Sequence, residues 1–592
     1  MQLFEKNIKY FYKNLPEFYE LIKNIKKRNF ILKNDNIYYK NTPLYPNSIT
    51  NDSYKLALNP LNNPLWQKEP FFIHPFKWDE NFYITGKIIN SLTKKASLLK
   101  SYTKKGFYFD RDFLPTTVIY GLMAGKHLNI LVRKYEFHSL FVYEPNPEFF
   151  AISLYFVDYE YIYKKLKNRF FLWVKGAVDY SAIEKFYYER IITSTFFNLS
   201  LTTYNHPLIE DAKNKFKQVK SAKIRGWGSY EDEIKGVKNH LKNITKHPLL
   251  SSSKKINAPI CIIANGKSLE KNIEFIKKNK NSMILVTVGT AIKPLKKAGI
   301  ESDFHIEQER IDLLIDALKD ILPNYGGYFM GASVVNPEVF KMAKKPLMYA
   351  REGFCFSHLY PQLVGSSPIV GNAGFAFGVN FSSEIYLCGM DLGFRLNQKK
   401  HATGSFYDNL DDKETQGIKI EGNFSNDIYT NSLFLTSKNS IEKMILFFKP
   451  TVYNLSDGVK IKGTIALKDK TLPLIDKKKA IDEILSTFKH TAKKEKNLNL
   501  HPIINAFSKS LNFENIKNKK ELTGRIDFIE DALKDLEIKN PPLSALLRGS
   551  FYHILNNIYI LAHKIDLKDL NKLIKEIKKD LFLFEKDFSK LI

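Results

Sequence analysis

Between residue 256 and about residue 455 the chain alternates short apolar runs with segments of helical spacing. The runs ICIIA, MILVTV, DFHIE, GYFMG, PLMYA and EIYLCGMD carry β-branched and aromatic residues and predict buried strands. Segments between them, such as IDLLIDALKDIL, repeat apolar positions three and four apart and predict helices. Strands and helices in alternation predict a parallel sheet covered by helices on both faces.

The flanks differ. Residues 1 to about 105 are mixed, with NTPLYPNS and LNPLNNPLWQ reading as loops and turns. From residue 108, TTVIYGLMAGKHLNILV predicts a strand, a turn with Gly121 and Gly125, and a helix; SLFVYEPNPEFF predicts a second strand ending in Glu144. This is the outline of a dinucleotide-type βαβ unit. With only two glycines, and with Met123 and His127 crowding the loop, it reads either as a degenerate relic or as a ligand site. A helical stretch is expected around 158–200. Residues 205–255 read as a connector, with EDEIKGVKNHLKNITKH helical and SSSKKINAP a polar linker. From about 475 to 592, spacings such as Leu567, Leu570, Leu573, Ile574, Ile577 and Leu581 predict an all-helical domain. The expected domains are 1–225, a helical connector 226–255, a central domain 256–470 and a C-terminal domain 475–592. No repeat of 20–50 residues is evident.

A chain of 592 residues exceeds what one core supports. Hydrophobic residues at 44 % and aromatics at 14 % supply packed interiors and exclude a disordered composition. The net charge of +28 is spread as lysine pairs among Asn and Ile. It reads as a solvated lysine surface or as a field that attracts anionic substrates, and no nucleic-acid partner is expected. Cys261, Cys355 and Cys388 show no metal-ligand spacing and no disulfide framework. The N-terminus has no apolar signal core. The most apolar stretch, Leu543 to Ile565, is interrupted by Arg548, His553, two Asn and His563, so it predicts a buried helix and no transmembrane segment. A cytoplasmic location is expected.

Open α/β sheets bind ligands beyond the carboxyl ends of their strands, so the residues at those ends are the candidates. Asn265, Gly266 and Ser268 follow the first strand; Gly266 permits close approach to an anion and Ser268 suits a helix N-cap. The stretch lacks G-x-x-x-x-G-K-[ST] and is no nucleotide-triphosphate P-loop. Lys267 is conspicuous but can be simply solvated. Gly289 and Thr290 follow the second strand. His305, Glu307 and Gln308 mark the third, where alternation sends His305 and Glu307 the same way; an acid there binds ribose hydroxyls or caps the next helix. Ser333 follows the fourth. Asn372, Ala373 and Gly374 precede the helix FAFGVNF. Asp391 ends EIYLCGMD, and His401 lies ten residues beyond; the two read as an orienter and a catalytic base, or as a helix cap and a surface histidine.

APICIIANGKSLEKNI, MILVTVGTAIKPLKKAGIESDFHIEQER, VGNAGFAFGVNFSSEIYLCGMDLGF and HATGSFYD together resemble the motility-associated factor family, bacterial flagellin glycosyltransferases also known as the domain-of-unknown-function family 115. The resemblance covers about 170 residues of the central domain, and the flanks fit the same three-part layout. The central domain is further similar to bacterial CMP-sialic-acid sialyltransferases, whose A-G-N-G-P-S-L loop resembles Ala264 to Leu269. The resemblance implies a fold of class α/β: a central Rossmann-like or GT-A-like parallel-sheet domain, a mixed α/β N-terminal domain with a degenerate βαβ unit, and an all-helical C-terminal domain. It implies that Asn265 and Gly266 contact the CMP phosphate and ribose, that Glu307 lies near the cytidine or its ribose, and that Asn372 to Gly374 face phosphate or donor sugar. Where the sialyltransferases place two tyrosines beyond the Asp, this chain has Phe394 and His401, so the chemistry does not carry over residue for residue.

The implied reaction is inverting transfer of pseudaminic or legionaminic acid from its CMP donor to Ser or Thr of flagellin. It serves flagellum assembly and motility and requires no metal or other cofactor. His401 and Asp391 are the catalytic candidates, but the sialyltransferases' catalytic-base histidine lies further downstream, so His401 reads as either the base or a phosphate partner. Asp411-Asp412 reads as a solvated loop rather than a metal motif. Two other functions compete: an enzyme like the 6-hydroxymethyl-dihydropterin diphosphokinases, using ATP and a metal, and a flagellin-binding assembly factor without catalysis. The sequence sets no oligomeric state.

Overall fold

The computed structural model describes residues 2–591 except 26–27, 71–80, 105, 408–409, 411 and 493–497. Two compact units result: Met1–Ser229 with Leu500–Ile538 and Arg548–Asp587, and Tyr230–Asn499 with Lys539–Leu547 and Phe588–Ile592. The region beyond 475 is helical, as its spacing predicts, except for the short strand Phe488–Lys489, which joins the second unit's sheet, and most of the region shares a unit with the first 229 residues. Buried acids on the helix Lys519–Lys539 show why. Glu530, fully buried, accepts from the amides of Ile191 and Ile192 at 2.7 and 2.8 Å, and Asp527 accepts from Thr193 at 2.6 Å. Buried carboxylates require such partners. All but the first four residues of the expected connector 226–255 belong to the second unit, through the helix Tyr230–Asn243 and the strand Leu249–Leu250. No helix among the described residues is long and apolar enough to cross a membrane; Leu543 to Ile565 falls largely in the buried helix Pro541–Ala562.

In the first unit a five-stranded sheet runs in the order Trp66–Pro70, Phe197–Thr202, Thr116–Tyr120, Leu140–Glu144, Phe170–Val174. All neighbours are parallel except the first pair. The expected helical stretch around 158–200 therefore contains two strands, Phe170–Val174 and Phe197–Thr202, whose aromatic and apolar residues pack on the sheet better than on a helix. The βαβ outline is real, and its turn is already filled. Glu144 accepts from the Leu122 amide at 2.6 Å, the Asn146 amide at 2.8 Å and the Tyr204 hydroxyl. Burial pushes this carboxyl up to about 7, against the pull of those donors.

His127, on the following helix Lys126–Lys134, is fully buried, and neither ring nitrogen has a hydrogen-bond partner among the described residues. Burial lowers its pKa to about 4. The unfolded chain thus binds a proton below about pH 6.5 that the native chain refuses, so stability falls with acidification between 6.5 and 4. His127→Leu is expected to lose about 2 kcal/mol less than the native chain between pH 7 and pH 5. Thermal melts at the two pH values check this.

The second unit is built on a sheet of eleven strands among the described residues, nearly all parallel. Its central path runs Thr451–Asn454, Glu384–Cys388, Ile260–Ile263, Ile284–Val288, Phe304–Glu307, Tyr328–Ala332, Pro346–Arg351. All six strands predicted from the apolar runs are present. From Ile260–Ile263 the order proceeds one way as far as Pro346–Arg351, and Glu384–Cys388 then returns to the other side of Ile260–Ile263. This reversal opens a crevice at the carboxyl ends of those strands, where doubly wound sheets bind ligands. The helix Val370–Phe381 lies against the sheet, and Gly374 lets it approach: a Cβ there would collide with Val288.

Candidate functional site

A cavity of about 400 Å³ occupies the crevice. One wall comes from the strand ends, with Asn265, Thr290, Glu307 and Asp391; His401 and Tyr407 close it from the loop beyond Asp391. The remaining lining is largely apolar, with Ile311, Leu313, Leu314, Val370 and Phe434. A cleft of this size with a largely apolar lining and a few convergent polar groups suits a nucleotide-sized ligand.

Of the expected residues, Asn265, Gly266, Gly289, Thr290, Glu307, Asp391 and His401 line this cavity. Asn265 donates from Nδ2 to Thr290 Oγ1 at 2.7 Å, while its Oδ1, buried, has no partner among the described residues. Glu307 is 2 % exposed, and its Oε1 lies 3.3 Å from His305 Nε2, which leaves the other carboxylate oxygen for a ligand. Buried acceptors left open in a cavity are groups a ligand can satisfy.

The loop after Ile260–Ile263 differs from the expected phosphate cradle. The Ser268 amide donates to Asp391 Oδ2 at 3.0 Å, and the Ser268 hydroxyl donates to Asp391 Oδ1. The amides of Gly266 and Lys267 are taken by the carbonyls of Gly389 and Lys400. Ser268 sits at the start of the helix Leu269–Asn279, yet its side chain caps no helix amide. The anion at this helix terminus is Asp391, an internal one. Burial pushes the Asp391 carboxyl up to about 6, against the Ser268 hydrogen bonds. Lys267 pairs with Glu270 at 2.8 Å at the surface.

Four further expectations are corrected. Asn372, Ala373 and Gly374 lie inside the helix Val370–Phe381, which begins before them; all three are buried. Asn372 donates to the Ser437 carbonyl at 3.0 Å and accepts from its hydroxyl at 2.6 Å, so it ties two helices together. Val370 and Gly371 line the cavity in their place. Ser333 is buried against His240, with its Oγ 2.9 Å from Nδ1. Gln308 is fully buried and donates to the Pro368 carbonyl at 3.3 Å. Neither of these two lines the cavity. Phe394 is packed beside Gly417, away from it.

Asp391 and His401 form no base-and-orienter pair. The orienter is Asp412, whose Oδ2 lies 2.7 Å from His401 Nδ1 and accepts the His401 backbone N–H at 3.1 Å. Asp412 is 8 % exposed rather than solvated; Asp411 lies outside the described residues. The carboxylate places the proton on Nδ1 and leaves Nε2 as the basic nitrogen. Burial, the largest influence, lowers the His401 pKa below its ordinary value although Asp412 raises it, so the ring is neutral near pH 7. Tyr407 stacks on His401 with ring centroids 4.1 Å apart, bringing a phenol to the cavity. Asp412 and Tyr407 escaped the sequence reading because a loop without periodicity does not say which of its polar residues fold inward. A clue was present in Phe406-Tyr407, an aromatic pair within an otherwise polar loop.

Residues 3–224 match the family described as glycosyltransferase Maf N-terminal domain, and residues 235–397 match that described as 6-hydroxymethylpterin diphosphokinase MptE-like. No curated protein matches the chain. The fold is similar to the solved structure of the Maf glycosyltransferase from Magnetospirillum magneticum AMB-1, at a TM-score of 0.67 and 18 % identity over 100 % of this chain and 97 % of that one.

Proposed function

Because the chain belongs to the motility-associated factor family of glycosyltransferases, we propose that it transfers a nonulosonic acid, pseudaminic or legionaminic, from its CMP donor to Ser or Thr of flagellin. The observation that carries this reading is the His401–Asp412 pair facing a nucleotide-sized cavity at the sheet's reversal point. Asn265, Thr290 and Glu307 bind the nucleotide end. The acceptor hydroxyl attacks the anomeric carbon as the bond to the CMP phosphate breaks. His401 Nε2 takes the hydroxyl proton, and CMP leaves with the electron pair. Tyr407 donates to the departing phosphate, the role that Phe394 has no hydroxyl to fill. One displacement inverts the anomeric centre. The proposal places the enzyme in the cytoplasm and assigns it no metal.

Intact mass of flagellin co-expressed with this chain and a nonulosonate pathway tests the transfer; flagellin without added sugar mass would refute it. CMP at a hundred times its dissociation constant should stabilise the protein by about 2.7 kcal/mol in thermal melts. Asn265→Ala should weaken CMP about tenfold by removing one acceptor and freeing Thr290. The match of residues 235–397 to a diphosphokinase family supports a second reading, pterin diphosphorylation. Stabilisation by ATP with magnesium and none by CMP would favour it.

A further inference from the structure

Behind Glu307 a chain of buried polar side chains runs through the sheet. Tyr325 donates from its hydroxyl to the Ser302 carbonyl at 2.9 Å, and the Ser302 and Tyr325 hydroxyls are 2.9 Å apart. Ser302 Oγ lies 2.9 Å from Thr287 Oγ1, and Thr287 Oγ1 lies 3.0 Å from His305 Nδ1. His305 Nε2 ends the chain 3.3 Å from Glu307 Oε1, and neither atom makes another hydrogen bond among the described residues. Ser302, Thr287, His305, Tyr325 and Glu307 are all less than 5 % exposed.

The proton count along this chain has one best solution. A carbonyl only accepts, so the Tyr325 proton points to Ser302 O. The Ser302 proton then serves the contact to Tyr325, and the Thr287 proton serves the contact to Ser302. Thr287 has no second proton, so His305 Nδ1 must donate to it. Only the longest contact, 3.3 Å from Thr287 Oγ1 to the Phe304 carbonyl, then lacks a proton. If Thr287 instead donated to His305, that contact would still lack one, and Tyr325 would need two. With Nδ1 protonated, a neutral His305 would turn its Nε2 lone pair onto a carboxylate oxygen in a dry interior, an arrangement that costs energy until a proton joins the pair.

We infer that this relay fixes the His305 proton on Nδ1 and makes His305 the residue that positions Glu307 and neutralises its charge for an anionic nucleotide. The inference rests on the proposed donor site and answers a difficulty in it. Glu307, Glu309 and Asp391 all line the cavity, against Lys400 and His401, and Lys400 is already paired with Glu414 at 2.5 Å. A phosphate entering beside three carboxylates is repelled. A proton held by His305 and Glu307 removes one of those charges and leaves the remaining Glu307 oxygen able to accept from a ribose hydroxyl.

The test has two arms on the full chain. The first is nuclear magnetic resonance of isotope-labelled histidine, with the His305 signals identified by their loss in His305→Phe. The expected result is a proton on Nδ1 and a perturbed Nδ1 signal in Thr287→Val; a His305 ring protonated on Nε2 alone overturns the relay. The second is calorimetric titration with CMP and with uncharged cytidine. His305→Phe is expected to weaken CMP about tenfold or more and cytidine less than about threefold, with Glu307→Gln restoring CMP in that background. Equal loss for both ligands overturns the charge-setting role. If neither ligand binds the native protein, the donor reading fails, and the resonance arm still decides the relay.

Discussion

His401→Gln is expected to cut sugar transfer by about 10²–10⁴-fold while leaving CMP binding within about threefold. The glutamine keeps a polar side chain of similar reach beside Asp412 but cannot take a proton. Loss confined to kcat would place His401 in the chemical step; loss confined to KM would make it a binding residue and defeat the proposal. Asp412→Asn should cost nearly as much, because an amide can present its N–H to Nδ1 and turn Nε2 into the protonated nitrogen. The pH profile adds a second check. His401 is shifted below the ordinary histidine value, so the acid limb of kcat should fall below about pH 6.5. Removing the Asp412 charge removes an influence that raises that pKa, and the limb of Asp412→Asn should move lower still.

The sheet was legible because its strands are buried on both faces. ICIIA or EIYLCGMD cannot be solvated, so each apolar run marks a strand with little ambiguity. The same logic failed between 158 and 200, where FFLWV and FNLSLT are flanked by real helices and the short runs merge into one periodic stretch. The division of the chain was less legible. Which unit a helix joins depends on partners hundreds of residues away, such as Ile191 and Ile192 for Glu530, and local spacing carries no trace of them.

Strand ends were the right place to look, but two kinds of residue there look alike in sequence. Asn265 keeps a buried acceptor open at the cavity and Glu307 lines it with His305 at its back, whereas Asn372 and Ser333 have their hydrogen bonds completed inside the fold. Both glycine turns illustrate the point. In the first unit Glu144 fills the turn after Thr116–Tyr120; in the second, Asp391 fills the turn after Ile260–Ile263. In each case the carboxylate comes from the end of the neighbouring strand. A turn whose amides suit a phosphate has been given an internal anion, so the ligand in the second unit must be held by what surrounds the turn.

Gly266→Ala separates the two meanings of that glycine. A Cβ at this position would stand 2.5 Å from Asp391 Oδ2 and 2.6 Å from the Gly389 carbonyl oxygen, well inside van der Waals contact. The Asp391 side chain has to leave Ser268, and a buried amide and hydroxyl then lose their acceptor. The variant is expected to lose about 3 kcal/mol of stability with no ligand present. A glycine needed only for ligand approach would leave the apo protein untouched and impair CMP binding alone, and that outcome would refute the assignment. Asp391→Ala also destabilises, by the same orphaned Ser268 donors, so the two effects share a cause. In Gly266→Ala/Asp391→Ala the losses should fall short of their sum by about 1–3 kcal/mol. Rescue stays partial because the Gly389 carbonyl still faces the new methyl group. Thermal unfolding of the three variants without ligand measures that coupling, and strict additivity would mean that Gly266 and Asp391 act independently.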